Sequence, residues 1–194
     1  MAEKKTDRRV RKTKNQLRAG LAKLMQEKRI KEITVKELVE TVDINRSTFY
    51  LHYSDIFQML ESIEGELQDD IMKVIEEHPI SPFTENSFPF IEEIFVILWE
   101  NRDICAALLG PNGDMSFLLR IEQIISDHSL SVLKATFPED IDNLKYSFAF
   151  CLTGCVGIIK SWLTSGNGES PQHMAELTFQ LIMDALKGLY PKQV

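Results

Sequence analysis

The chain has 194 residues, 44% hydrophobic and 26% charged, with 9 Gly and 7 Pro; at ~150 residues per domain it holds one or two ordinary cores. That composition excludes collagen-like, low-complexity and disordered chains. The net charge of −7 is unevenly spread: residues 1–55 carry 14 Lys and Arg against 8 Asp and Glu, or +6, leaving −13 for residues 56–194. A basic head on an acidic body points to an anionic polymer at the head.

Helical spacing runs through nearly the whole chain, with no strand-like alternation of useful length. Behind a basic arm (Arg8, Arg9, Arg11, Lys12, Lys14), Asn15–Lys28 sets Leu17, Leu21, Leu24 and Met25 on one stripe of an amphipathic helix. Thr34 is a good N-cap, and Glu37 three residues on completes a capping box. Ile33 and Leu38 stand at the staple positions, and the helix should stop near Asp43. Asn45 then caps a short helix from Arg46 to about Tyr53, with Ile44 and Phe49 as its staple. Ser54 or Asp55 caps a longer helix carrying Ile56, Met59, Leu60, Ile63 and Leu67, ended by His78, Pro79, Ser81 and Pro82. Further helices are expected over Pro89–Asn101, Asp103–Leu109, Ser116–Phe137 (stopped by Pro138) and Asp140–Thr164. After the loop Ser165–Glu169, Ser170 caps a last helix that has Pro171 at its first position and runs to about Tyr190.

Two short capped helices joined by a three-residue turn, in the basic third of the chain, suggest a helix-turn-helix. At 100° per residue Phe49 sets the inward direction and Tyr53 lies near it. Ser47 and Leu51 then face outward, with Thr48 and Tyr50 on the flanks. The hydroxyls of Ser47 and Thr48 can serve either kind of base edge, and Leu51 can touch a thymine methyl. Arg46 can reach guanine or a phosphate. Tyr50 and His52 can donate to phosphate oxygens, and the start of the Thr34 helix, backed by Thr34 and Lys36, is a phosphate site.

Residues 33–60, with Ile33-Thr34-Val35-Lys36-Glu37-Leu38 leading to Asn45-Arg46-Ser47-Thr48-Phe49-Tyr50-Leu51-His52-Tyr53, resemble the DNA-binding domain of the TetR family of transcriptional regulators. With the Leu17/Leu21/Leu24 helix the resemblance covers about residues 10–60. It implies a homodimer, usually a repressor, with a small-molecule pocket in the C-terminal region. It implies that Thr34, Lys36 and His52 meet phosphates while Arg46, Ser47, Thr48, Tyr50 and Leu51 face bases or adjacent phosphates. Two positions depart from the family pattern: Ile56 stands where a lysine is usual, and Leu51 where Arg or Lys is common.

Farther on, Phe148–Ile159 is apolar nearly all round, and Gly154 and Gly157 leave room for another helix at a cost of about 1 kcal/mol each. The last helix offers Ala175, Thr178, Phe179, Ile182, Leu186 and Leu189 in a stripe. Helices 140–164 and 170–190 are therefore expected to pair with their copies across a two-fold axis. Phe95, Trp99, Phe117, Phe148, Cys151 and Trp162 are candidate walls of an effector pocket. The apolar run is short of the ~20 residues of a membrane span. Residues Met1–Lys5 lead into charge with no apolar h-region, and three cysteines are an odd set for a disulfide framework. The expected setting is cytoplasmic, without membrane contact.

No Gly-rich phosphate loop, nucleophile elbow, carboxylate pair beside a His or zinc signature is seen. Neither an enzyme, a metal nor a cofactor is expected. The expected fold is all-α: a DNA-binding domain over residues 1–54 with its helix-turn-helix, then a helical regulatory and dimerisation domain over 55–194, with helix 55–77 as connector. The expected function is a ligand-responsive repressor on a palindromic operator. The alternative is a protein-binding coregulator on the same fold.

Overall fold

The computed structural model describes residues 2–78, 88–136, 141–165 and 168–189. Nine α-helices and no strand occur among them: α1 (Ala2–Glu27), α2 (Val35–Thr41), α3 (Arg46–Tyr50), α4 (Ile56–Glu77), α5 (Phe88–Glu100), α6 (Arg102–Leu108), α7 (Met115–Thr136), α8 (Ile141–Ser165) and α9 (Pro171–Leu189). A 3₁₀ turn, Ile30–Glu32, precedes α2. The expected stops at Pro79–Pro82 and Phe137–Pro138, the start at Asp140 and the end at Tyr190 lie outside the described residues. These helices gather into two units, residues 1–67 with 102–117, and residues 68–101 with 118–194.

The first unit is built on α1, which starts thirteen residues before the expected Asn15. What looked like a basic arm is helical, because Lys, Arg and Ala hold a helix without an apolar stripe. From Leu17 onward the stripe does the packing: Leu17, Leu21 and Met25 are buried with Leu38 of α2, Phe49 of α3 and Met59 of α4. Gly20 permits this approach. A Cβ there would lie 2.3 Å from Val42 Cγ1 and 3.0 Å from Leu38 Cδ1. Gly20→Ala therefore gains helix propensity but overpacks a stiff β-branched neighbour, for a net loss of about 1 kcal/mol or more. A lower urea midpoint with an unchanged m-value is the expected reading.

Local caps set the two short helices. Thr34 Oγ1 accepts from the Glu37 N–H at 3.2 Å, and Asn45 Oδ1 accepts from the Ser47 N–H at 2.9 Å. Only half of the expected capping box forms, since the Glu37 carboxylate pairs with Lys28 instead of the Thr34 N–H. The reciprocal bond appears one turn earlier, where the Arg29 N–H donates to Glu32 Oε2 at 3.0 Å. Between α2 and α3 the chain reverses at Asp43, whose φ of 52° is left-handed, a conformation that Asp tolerates better than most residues. Asp55 caps α4, its Oδ1 accepting from the Gln58 N–H at 2.8 Å.

Sequence periodicity left α6 without a partner. In the structure it packs on α1, burying Ile104, Cys105, Ala107 and Leu108. The Asn112 amide donates to the Gln26 carbonyl at 3.2 Å and ties the following turn to the end of α1.

In the second unit α9 packs against α5 and α8. Phe95, Trp162, Met174 and Ala175 form the buried centre. The Trp162 indole N–H donates to the Glu169 carbonyl at 3.1 Å, which ties α8 to the residues just before α9. Ser170 Oγ accepts from the His173 N–H at 3.2 Å, the expected cap, with Pro171 opening the helix. Helix α8 is different. Its span Lys145–Ser165 is long and apolar enough to cross a membrane, longer than the Phe148–Ile159 run suggested, and little of it is fully buried among the described residues.

Candidate nucleic-acid interface

Helix α3 is held from below by rings. Phe49 is fully buried and meets the rings of Tyr50 and Tyr53 at 5.4 and 5.8 Å, and Tyr53 is also buried. With that edge inward, the other residues of α3 and its C-terminal turn face out. Arg46, Ser47, Tyr50 and Leu51 are exposed, and Thr48 and His52 are half-buried. Leu51 is 80% exposed, a large apolar side chain given to solvent in a unit whose other leucines of α1 and α2 are covered. The helix is one turn shorter than expected, ending at Tyr50 with Leu51 as C-cap.

Two side chains on this face are already organised. The Arg46 Nε and Nη2 donate to Tyr50 Oη at 3.3 and 3.0 Å, and the guanidinium lies 5.5 Å from the Tyr50 ring centroid. Ser47 Oγ donates to Asn45 Oδ1 at 2.9 Å, so this hydroxyl keeps its lone pairs for an incoming donor. Sequence reasoning missed the Arg46–Tyr50 pair, although their i, i+4 spacing was the available signal.

At the start of α2, Thr34 and Lys36 are exposed, and Lys36 Nζ lies 3.9 Å from Glu40 in an i, i+4 pair. By helix geometry the first N–H groups of α2 have no intrahelical acceptor, and the Lys28 ammonium stands nearby on Glu37. That hydrogen bond to Lys28 holds the Glu37 carboxyl below its ordinary value. Ile56, where the family pattern has a cation, is buried in the core, so that position offers nothing to a phosphate.

The expected pocket residues divide. Phe95, Trp99 and Trp162 come together, with Trp162 5.3 Å from the Phe95 ring and stacked 5.4 Å from Trp99. Phe148 and Cys151 are half-buried farther up α8 and do not join this cluster, and Phe117 belongs to the other unit. All three cysteines are free. Burial pushes the Cys105 thiol up to about 12 and Cys155 up to about 11, so neither is a thiolate at neutral pH. Cys151 and Cys155 are half-buried on α8. Among the described residues no group of three or more His, Cys, Asp or Glu could hold a metal ion.

The fold is similar to that of a TetR transcriptional regulator from Streptococcus agalactiae 2603V, at 22% identity and a TM-score of 0.52 over 91% of this chain and 97% of that one. It is also similar to the fatty acid degradation regulator FadR from Bacillus halodurans, at 12% identity and a TM-score of 0.61 over 90% and 96%. No curated protein matches the sequence. A TetR model described as a transcriptional regulator C-terminal region matches residues 85–184, just over half of the chain and outside the helix-turn-helix. The N-terminal motif and this C-terminal match converge, and the chain belongs to the TetR family of transcriptional regulators.

Proposed function

We propose that the protein is a DNA-binding repressor that reads a palindromic operator as a homodimer and is released by a small-molecule effector in the cytoplasm. The observation that carries DNA reading is the outward set Arg46, Ser47, Thr48, Tyr50 and Leu51 on a helix anchored by buried Phe49. Thr34, Lys36 and His52 supply the flanking phosphate contacts. Selection of bound duplexes from a random pool should return a two-fold symmetric consensus. Thr48→Ala should weaken that site by about 1–3 kcal/mol with little loss on random DNA, and Tyr50→Phe should weaken it as well. Unchanged affinity in both variants would move the reading surface off α3.

The homodimer rests on α8 and α9. Tyr146 and Phe150 are each 69% exposed, and a Cβ added at Gly154 or Gly157 would meet nothing within 4 Å among the described residues. These four positions follow i, i+4, i+8 and i+11, one stripe of α8. Leu177 and Leu181 are exposed on α9. A second copy of the same stripe buries them and answers the helix-propensity cost of the two glycines. Phe150→Glu should turn a dimer into a monomer in light scattering at micromolar concentration, with far-UV circular dichroism intact. Flotation of the wild-type chain with liposomes would instead assign α8 to lipid.

The effector site is proposed on the second unit around Phe95, Trp99 and Trp162, whose stacked indoles report occupancy by fluorescence. The coregulator alternative draws on Leu51 and Ile56, which remove two cations from the interface. Gel shifts that need a second protein would favour it.

A further inference from the structure

A cleft of about 310 Å³ opens in the first unit between the N-terminal half of α1 and α4. Its lining includes Arg11, Lys14, Arg18, Tyr53, Ile63 and Glu66. The effector site above does not use it, and neither does the outward face of α3. Three cations meet one carboxylate there, so the cleft holds an excess of two positive charges. Glu66 is shared thinly, with Lys14 Nζ 3.7 Å from Oε1 and Arg18 Nη1 3.4 Å from Oε2. Arg11 has no ion pair among the described residues. The other two guanidinium nitrogens of Arg18, Nε and Nη2, are buried without an acceptor. Lys14 Nζ also lies 5.8 Å from the centroid of the Tyr53 ring.

We propose that this cleft binds the phosphate group of a small ligand, held by Arg11, Lys14 and Arg18 against Tyr53. A dianion matches the excess charge, and a planar guanidinium presents paired donors to phosphate oxygens. A phenol is neutral at physiological pH, and burial followed by Glu66 raises the Tyr53 hydroxyl further against a smaller lowering by Arg18, so it is no competing anion. Ile63 and the Tyr53 ring give a short apolar wall for the body of the ligand, and the volume is at the small end of ligand pockets. Tyr53 closes the turn after α3, its N–H bonded to the Phe49 carbonyl at 3.0 Å, so an occupant of the cleft touches the residue that seats the reading helix.

Glu66 makes the proposal testable in both directions, because it competes with the ligand for the same cations. Inorganic phosphate is titrated into the full-length chain at constant ionic strength, balanced with chloride, and thermal stability is followed. Phosphate should raise the melting temperature of the wild type above the chloride control. E66Q should tighten the apparent phosphate Kd by about three- to tenfold, and K14Q should weaken it by a similar factor. Both side chains are about half exposed, so both variants should keep their far-UV spectra. NMR shifts on adding phosphate, centred on Lys14, Arg18 and Tyr53, give a readout independent of stability. Equal melting in phosphate and chloride without such shifts overturns the proposal. So does an outcome in which E66Q and K14Q change affinity for random duplex DNA and leave phosphate binding alone, since that assigns the cleft to the DNA backbone.

Discussion

Phe49→Ala is expected to cost the first unit about 3–5 kcal/mol and to abolish operator binding with it. The side chain is fully buried, and its ring meets Tyr50 and Tyr53 at 5.4 and 5.8 Å. Helix α3 has five residues, too few to hold its shape in water without packing. Removing Phe49 takes away both the anchor and the reason for the helix. The loss should appear as a lower urea midpoint and as weaker binding to every duplex, specific or random. Leu51→Ala is the matched control: that side chain is 80% exposed, so stability should change by less than about 0.5 kcal/mol while discrimination at one base pair falls. If Phe49→Ala melts like the wild type, α3 is held by something other than its buried edge.

Trp162→Ala is expected to cost the second unit a similar amount, about 3–5 kcal/mol. The indole is buried with Phe95, stacks on Trp99, and donates to the Glu169 carbonyl. Truncation leaves a cavity in the α5–α8–α9 packing and a carbonyl without its donor. Trp162→Phe keeps most of the volume and loses the hydrogen bond, so it should fall between the two. Near-UV circular dichroism, dominated by the coupled indoles, should lose most of its signal in the alanine variant.

The helices and their starts were legible where the cause is local. Thr34, Asn45, Asp55 and Ser170 announce their helices because a short oxygen-bearing side chain meets a free N–H within three residues. The outward face of α3 was legible too, since 100° per residue and one buried ring determine it. What depended on three dimensions was not. The Glu37 carboxylate had two partners within reach, the Thr34 N–H and the Lys28 ammonium, and only the path of the intervening turn selects Lys28. Residues 2–14 carry no apolar stripe, so a reading based on periodicity starts α1 at Asn15. Six candidate pocket residues looked equivalent as large or soft apolar side chains, yet Phe117 went to one unit and Phe95, Trp99 and Trp162 to the centre of the other. Burial counts cannot assign an apolar residue to a particular core.

The docking of α6 on α1 also bears on how the chain is made. Residues 1–67 leave the ribosome long before residues 102–117 that complete their unit. During that interval the α1 surface destined for Ile104 and Leu108 is open to water and to any chaperone at the tunnel exit. A fragment cut after α4 is consequently a sticky intermediate, and a minimal version of the helix-turn-helix unit has to carry α6 with it.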